Sequence, residues 1–381
     1  MKIARKETQI QDEEELEKII DDADKNIIPQ KRIINPDYLI PSGLTLLNCA
    51  CSDTPFGGFL LGTINTIPGK SMGGKTMLMT TMMACCAKEK RFNEYELIND
   101  DAEHSHEFDM GYLFPNLVGR LKAPQYDKNI PKYSQTIQDF QNNILTLCKS
   151  KKRFIYSLDS LDSLTSTEEL EREYKNALKA AKVGDDKEKV AKSYHMEKAK
   201  HTGEMLRMIK GPLKENKSSL FIVQQTRQRT DRTFAGQTDW VCSGGEAPLF
   251  YSFHQIYITA VSSHTNEVRG IKNKIGSHNH AHIMKNKLTG KKRTIQFDIY
   301  DDLGVDDTTG MVEFLIKTEH WRKDGNQYHA PEILGEDKMF KKDLIYLIEK
   351  EGMIKLIQEI VGQVWNEIED EMKLSERKRR F

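Results

Sequence analysis

The sequence has no excess of charge of either sign. Lysine and arginine together number 57, and aspartate and glutamate together also number 57, so the 381-residue chain is formally neutral. A neutral chain has no overall field that would draw it to DNA or to a membrane surface. Any site for a polyanion must therefore be local.

Long apolar runs and paired cysteine motifs are also missing. No apolar stretch reaches the roughly 18 residues that are needed to span a bilayer, and the N-terminal segment MKIARKETQIQDEEELEK lacks the apolar core of a secretion signal. The six cysteines show no C-x-x-C spacing, and Cys85 and Cys86 are adjacent, which suits reduced thiols. We therefore expect a soluble, cytoplasmic protein with no membrane partner.

The sequence pattern divides the chain into three parts. Residues 1–35 read as an acidic helical arm with a possible role in oligomerisation, and residues 316–381 read as a small helical C-terminal domain with the basic tip SERKRRF. Between them, residues 36–315 alternate strand-like and helix-like segments, which predicts an α/β fold with a mostly parallel, doubly wound sheet. The predicted strands include 59–67, 95–100, 153–161 and 219–225, followed by HAHIMKNKL and KRTIQFDIY, and the first long helix is predicted at 76–90.

A glycine-rich stretch lies between the first of these strands and the first helix. GKSMGGKT matches the phosphate-binding pattern G-x-x-x-x-G-K-[ST] in the required strand-to-helix context. Its backbone N–H groups and the helix N-terminus would hold the phosphates of ATP, with Lys75 on the β/γ-phosphates and Thr76 on Mg²⁺. The predicted nucleotide-binding residues are Gly69, Lys70, Ser71, Met72, Gly73, Gly74, Lys75 and Thr76.

Acidic residues follow two of the predicted strands. Asp159 ends the strand-like run FIYSLD and is the first choice for a Mg²⁺ ligand, while Asp162 competes as a ligand or serves as a cap or turn residue. Glu103 follows YELINDD, and because ligands bind at the carboxyl ends of parallel strands, it is the candidate general base for hydrolysis.

Several of these segments, in this order, resemble the RecA family of recombinases, particularly the UvsX-type phage members. The resemblance rests on IPSGLTLLNCACSDTPFGG before the loop, on DAEH, LDSLDSL, FIVQQTR and GGEAPLFY, and on HIMKNKLTG, and it covers roughly residues 36–315. It implies a RecA-like ATPase core, with Gln225 as sensor of the γ-phosphate, and with Lys285 and Lys287 reaching the nucleotide of a neighbouring subunit. Tyr112 is a candidate for stacking on the nucleotide base.

The same resemblance implies two DNA-binding loops. The first would lie within about 175–200, in a charged segment whose simpler interpretation is a pair of solvated helices. The second would span 226–246, where we expect no regular element because apolar periodicity is weak. Arginines interleaved with aromatic side chains suit single-stranded DNA, although a surface loop with its aromatic groups turned inward is the alternative. The candidate DNA-binding residues are Arg227, Arg229, Arg232, Phe234, Trp240, Gly244 and Gly245.

Three histidines alternate along one of the predicted strands. His278, His280 and His282 in GSHNHAH would share one face, a spacing that metals can use. The sequence identifies no further ligand near them, so we interpret the row as an ordinary sheet face rather than a metal site.

The function expected from these patterns is that of a DNA-dependent ATPase that uses ATP and Mg²⁺. It would form filaments on single-stranded DNA and promote pairing and strand exchange with homologous duplex DNA, in recombination and repair, assisted by loader and single-strand-binding proteins. The setting would be a bacterial or phage-infected cell. Two alternatives stay open: a ring-shaped hexameric helicase built on the same core, and a DNA-binding scaffold in which ATP is a static switch.

Overall fold

The computed structural model of the chain describes residues 34–105, 109–180, 194–228, 240–242 and 244–373. The predicted N-terminal arm and the basic tip lie almost entirely outside the described residues, as do residues 181–193 of the predicted first DNA-binding loop and the centre of the second. The description below concerns the compact unit Pro36–Phe381.

Seventeen strands and eleven helices are named here in chain order. The strands are β1 Leu39–Ile40, β2 Phe59–Leu60, β3 Ile64–Gly69, β4 Tyr95–Asp101, β5 Leu121–Lys122, β6 Gln125–Asp127, β7 Ile130–Lys132, β8 Arg153–Asp159, β9 Ser219–Gln228, β10 Trp240–Cys242, β11 His254–Val268, β12 Ile271–Asn286, β13 Thr294–Tyr300, β14 Gly304–Asp306, β15 Arg322–Asp324, β16 Gln327–His329 and β17 Met339–Phe340. The helices are α1 Thr45–Ser52, α2 Lys75–Lys88, α3 Met110–Leu113, α4 Ile137–Lys149, α5 Thr167–Ala180, α6 Tyr194–Glu215, α7 Ala247–Tyr251, α8 Asp307–Lys317, α9 Pro331–Leu334, α10 Lys341–Lys350 and α11 Ile354–Glu371.

A large, mostly parallel sheet forms the centre of the molecule. Its strand order is β14-β13-β12-β11-β3-β9-β8-β4-β5, and the strands from β11 to β5 pair in parallel. An antiparallel extension of β12, β13 and β14 continues the sheet beyond β11. The prediction of an α/β fold around a mostly parallel sheet is therefore confirmed.

Helices cover both faces of the parallel strands because successive apolar side chains of a strand point to opposite faces of the sheet. In β9, Phe221 and Val223 belong to the core shared with α2, whereas Leu220 and Ile222 belong to the core shared with α4 and α6. The methionine-rich run of α2 supplies buried side chains to the first of these cores, as its apolar composition predicts. The sheet is thus the middle layer of three.

Two local predictions were wrong. The segment from 226 to 246 does contain a regular element, because β9 continues to Gln228 and pairs antiparallel with β10, with Thr226 opposite Cys242. The charged segment after β8 does form the expected pair of helices, α5 and α6, but it is not simply solvated, since α6 buries Met205, Leu206 and Ile209 completely. In both cases, long-range pairing supplies the apolar or hydrogen-bonding partner that local sequence periodicity does not reveal.

The C-terminal part of the described chain is not purely helical, which corrects the expectation for 316–381. Strands β15, β16 and β17 form a small antiparallel sheet there, and they pack with α8, α10 and α11 around the buried Trp321. The same core includes Cys49 of α1. The C-terminal elements therefore share a core with residues that precede the glycine-rich loop.

Charged side chains also fasten α11 to the sheet. The Arg293 guanidinium lies 2.7 Å from an Asp53 carboxylate oxygen and 2.5 Å from one of Glu369, and it lies over the Trp365 ring at 5.1 Å from its centroid. Lys291 contacts the same two carboxylates. The Arg293 side chain is 11% exposed, so water screens these pairs only partly.

Strands β11 and β12 continue well past their neighbours as a two-stranded ribbon. Strand β3 last pairs with β11 at Ile258, yet β11 runs on to Val268. The turn is formed by Arg269 and Gly270, both with positive φ, as two-residue hairpin loops require. Side chains from Thr265 to Lys274 are all exposed.

Among the described residues, no helix is long and apolar enough to cross a membrane.

Candidate functional site

The glycine-rich loop lies between the carboxyl end of β3 and the first residue of α2. Gly69 approaches the Ile258 carbonyl so closely that a Cβ there would meet its oxygen at 2.3 Å. Gly74 has φ +83°, and a Cβ on it would lie 2.3 Å from Ile299 Cδ1. Glycine is therefore required at both positions by the packing against β11 and β13. The residues between them, Lys70, Ser71 and Met72, are exposed to solvent.

Lys75 and Thr76 open α2 beneath this loop. The Lys75 ammonium donates hydrogen bonds to the Gly69 carbonyl at 3.1 Å and to the Lys70 carbonyl at 2.6 Å. Burial lowers the pKa of Lys75, while the negative charges of Asp159, Glu103 and Asp162 oppose that shift. The cation thus lies among three carboxylates at the mouth of the loop.

Asp159 ends β8 directly beside Thr76. The Thr76 hydroxyl donates to Asp159 Oδ2 at 2.5 Å, and Asp159 is 4% exposed. Burial raises the pKa of Asp159 to about 6, with help from the charges of Glu103 and Asp101, while the Thr76 hydrogen bond and Lys75 act in the other direction. A hydroxyl and a carboxylate side by side are oxygen ligands of the kind that Mg²⁺ prefers.

Glu103 follows β4 and is held by two neighbouring strand ends. Its backbone N–H donates to the Asp159 carbonyl at 3.1 Å. Its Oε1 accepts hydrogen bonds from the Ser160 hydroxyl and from the Gln225 side-chain amide, the latter at 2.9 Å. These contacts bring together Glu103, Asp159 and Gln225 from three strands of the sheet.

Gln225 is also fixed through its backbone. Its N–H donates to Asp162 Oδ2 at 2.7 Å, and the Asp162 carbonyl accepts from the Lys198 ammonium of α6 at 2.9 Å. Asp162 therefore links the turn after β8, strand β9 and the start of α6. Sequence reasoning favoured a cap or turn role for this residue, and the tie to Gln225 had no signal in the sequence.

Asn279 of β12 is a further residue of the site that sequence reasoning missed. Its side-chain amide donates to the Gly73 carbonyl at 3.1 Å from a fully buried position. No local pattern marks an asparagine some two hundred residues from the loop it supports.

Comparison with known proteins bears on this arrangement. The chain is 24% identical over 322 residues to Protein RecA of Oleidesulfovibrio alaskensis, which covers 84% of this chain and 79% of that protein. It is 23% identical over 308 residues to Protein RecA of Xylella fastidiosa, covering 81% and 79%, and 25% identical over 308 residues to that of Sulfurimonas denitrificans, covering 78% and 79%. This chain is similar to RecA proteins. No protein-family model matches it.

Lys285 and Lys287, the two lysines near the end of β12, lie away from the glycine-rich loop of their own chain. Gly69 is in register with Ile258 and Ile258 with Ala281, whereas Lys285 lies four residues further along β12. The Lys285 ammonium donates to the carbonyls of Leu249 and Phe250 at 2.6 and 3.0 Å. Lys287 is exposed.

Tyr112 lies on the short helix α3, and its side chain is 68% exposed. Among the described residues, its hydrogen-bond partner is Asp109 and not a residue of the glycine-rich loop.

Four of the seven candidate DNA-binding residues lie on the paired strands β9 and β10 or just after β10. Arg227 and Trp240 belong to the paired strands, opposite Val241 and Gln228, while Arg229, Arg232 and Phe234 lie outside the described residues. After β10 the chain turns at two glycines of positive φ. A Cβ on Gly244 would lie 2.9 Å from Leu161 and 3.3 Å from Thr202, and one on Gly245 would lie 3.0 Å from Ala199. Both glycines thus have a packing role against α6.

Proposed function

We propose that the chain is an ATP-dependent DNA recombinase of the UvsX type, which hydrolyses ATP, forms filaments on single-stranded DNA and promotes homologous pairing and strand exchange. One observation carries the proposal. The side chains of Lys75, Thr76, Asp159, Glu103 and Gln225 converge at the carboxyl edge of one sheet, and the strand that holds Gln225 continues through Arg227 and pairs with β10. The similarity to RecA proteins supports it.

The residues present fit ATP and Mg²⁺. The loop glycines carry no side chains, so the backbone N–H groups of the loop can approach phosphates closely. The N-terminus of α2 favours anions, and Lys75 supplies a positive charge. Thr76 and Asp159 would hold the metal, directly or through water. When bound, Mg²⁺ neutralises developing charge on the phosphate oxygens.

Glu103 acts as the general base in this proposal. Its carboxylate is kept in place by Ser160 and by the Gln225 amide, so it is oriented before a water molecule arrives. A positioned carboxylate that accepts a proton from water typically contributes about 10²–10⁴-fold to a rate. A static nucleotide site has no use for such a group.

Gln225 couples the nucleotide to DNA. Its side chain contacts Glu103, its N–H is tied to Asp162, and the next residue, Thr226, pairs with Cys242 across the hairpin. A shift of the Gln225 side chain toward a γ-phosphate would therefore change the contact with Glu103 and the start of the hairpin together. Asp162 is the positioning residue that keeps the backbone of Gln225 in register.

DNA is held by the hairpin in this proposal. Arg227, Arg229 and Arg232 neutralise phosphates, while Phe234 and Trp240 stack on bases without reading their sequence. Gly244 and Gly245 close the hairpin against α6.

Lys285 and Lys287 serve a neighbouring subunit. Because they lie four or more residues along β12 from the rung beside their own loop, a distance of about 13 Å or more, they are suited to reach ATP across a subunit interface. Tyr112, exposed on α3, is proposed to stack on the nucleotide base. Assembly and hydrolysis would then depend on each other.

The test compares ATP hydrolysis, with and without single-stranded DNA, in wild type, Glu103→Ala and a control variant, Glu96→Ala. Glu96 lies at the start of β4, whereas Glu103 follows the end of that strand, and Glu96 pairs with Lys122 and Lys152 at the surface. We expect DNA-stimulated turnover in wild type and Glu96→Ala, a loss of about 10²-fold or more in Glu103→Ala, and helical filaments by negative-stain microscopy. Strand exchange is the assay that follows.

The other outcomes separate the competing functions. Closed rings with DNA-stimulated turnover would indicate a helicase instead of a recombinase. Nucleotide binding without turnover in wild type would indicate a scaffold with ATP as a static switch. Equal turnover in wild type and Glu103→Ala would show that Glu103 is not the general base.

A further inference from the structure

A cluster of two histidines and one aspartate lies away from the nucleotide site, on the antiparallel extension of the sheet. His264 Nε2 is 2.9 Å and His278 Nδ1 is 2.7 Å from the same oxygen, Asp298 Oδ1. The three potential ligand atoms lie within 4.8 Å of one another. We propose that His264, His278 and Asp298 form a binding site for a divalent transition-metal ion of the zinc class.

Strand register explains why the three side chains share one face. Asp298 on β13 is directly opposite His278 on β12, and His264 on β11 is opposite Gly276, two residues from His278. Direct and diagonal neighbours on one face of a sheet are within reach of long side chains. Three separate strands thus supply one ligand each.

The donor set and its spacing fit a borderline ion. Two imidazole nitrogens and one carboxylate oxygen are typical ligands of Zn²⁺, Co²⁺ and Ni²⁺, and Ca²⁺ and Mg²⁺ prefer oxygen alone. Ligand atoms about 2.1 Å from a tetrahedral ion lie roughly 3.4 Å from each other. The two nitrogen-to-oxygen distances would need to widen by about 0.5 and about 0.7 Å, which side-chain rotation can supply.

The surroundings hold the ligands and admit an ion. The ring of Tyr300 stacks on His264 with centroids 5.0 Å apart, which orients the imidazole. His278 and Asp298 also line a cavity between β13 and α8. The two histidines are 31% and 29% exposed and Asp298 is 15% exposed, so an ion can enter from solvent.

The cluster sits where the β11–β12 ribbon leaves the sheet. Gly276, opposite His264, is also the first residue of β12 that pairs with β13, and from Thr265 to Lys274 the ribbon has two strands alone. An ion held by β11, β12 and β13 would join the ribbon to the sheet at its base. The ribbon would then be stiffer with the metal than without it.

Titration with Zn²⁺ tests the site. The full-length protein is stripped with a chelator and titrated by calorimetry, with excess Mg²⁺ present to occupy oxygen-rich sites such as Thr76 and Asp159. We expect one Zn²⁺ per chain, and Co²⁺ should give the visible absorption of a nitrogen-containing site. His264→Ala and His278→Ala should each weaken binding by about tenfold or more.

Two further variants make the result decisive. His282→Ala is the matched control, because His282 lies on the same strand but bonds to Thr294 instead of Asp298. His278→Asn keeps a hydrogen-bond donor for Asp298 but removes the imidazole, so a folded His278→Asn protein that has lost Zn²⁺ separates ligation from simple packing. His282→Ala should bind Zn²⁺ as wild type does.

Trypsin provides a second readout at the ribbon itself. Arg269, Lys272 and Lys274 are exposed cleavage sites near its tip. Zn²⁺ should slow cleavage there in wild type and in His282→Ala, but not in His278→Asn. The proposal is overturned if wild type binds no Zn²⁺, if His282→Ala loses as much affinity as His278→Ala, or if His264→Ala binds as tightly as wild type. The last two results would instead identify the row of His278, His280 and His282 as the ligands.

Discussion

Asp159 should lower the stability of the protein near neutral pH. Its carboxyl is buried, and burial is the main reason why its pKa rises from 3.8 to about 6. Ionisation of Asp159 is therefore more costly in the folded chain than in the unfolded one. Asp159→Asn removes that cost and, because asparagine keeps an oxygen, retains an acceptor for Thr76. We expect the variant to be more stable than wild type at pH 7.5, without nucleotide or metal.

The size of this effect follows from the pKa shift. A rise of about two units corresponds to roughly 3 kcal/mol in the free energy of unfolding. For a chain of this size, that is a rise of about 4 °C in melting temperature. Because the folded pKa is the higher one, the stabilising contribution of the protonated carboxyl is complete below about pH 4 and is lost as the pH rises through about 6.

The assay is denaturant unfolding of wild type and Asp159→Asn from about pH 4 to pH 8, followed by circular dichroism in the presence of a chelator. The pKa of Asp307 is also raised to about 6, mainly by desolvation, but Asp307 is present in both proteins and cancels in the difference. Asp324→Asn, on the exposed strand β15, is the control and should leave the profile unchanged. The reasoning is refuted if Asp159→Asn is no more stable than wild type at pH 7.5, or if the gap between the two proteins does not grow with pH.

Three other substitutions test separate parts of the description. Gln225→Ala should retain ATP binding but lose the stimulation of hydrolysis by single-stranded DNA, because it removes the amide that contacts Glu103; stimulation equal to wild type in a coupled ATPase assay would contradict this. Gly74→Val should abolish binding of a fluorescent ATP analogue, since its Cβ would collide with Ile299 in a backbone that disfavours valine; wild-type affinity would be the contrary result. Arg293→Met should lower the free energy of unfolding in urea by roughly 2 kcal/mol, less than the loss of a fully buried ion pair, because the site is partly exposed to solvent. A loss of the same size in 1 M salt would argue against an ionic cause.

The alternation of elements, the glycine-rich loop and the strand ends were predictable from the sequence because each is a local pattern. Strand β8 is a short apolar run that ends in Asp159, and the loop from Gly69 to Thr76 has fixed spacing and a strand and a helix on either side. Such patterns determine which element a residue belongs to and at which end it lies.

What the sequence does not contain is strand register between distant segments. Asn279 supports Gly73, Asp298 approaches His264, and β10 pairs with β9 only because particular residues happen to lie opposite one another in the folded sheet. A shift of one residue would move each side chain to the other face. The cluster with Asp298 was accordingly missed, although His278 had been singled out.

The two glycines after β10 have a mechanical consequence. Gly244 and Gly245 pack on Ala199 and Thr202 of α6, so the exit end of β10 and the N-terminal end of α6 rest against each other. Neither end can be displaced without pushing on the other. The two ends therefore move together, and a bulkier side chain at Ala199 would displace the exit of β10 and the start of α6 at the same time.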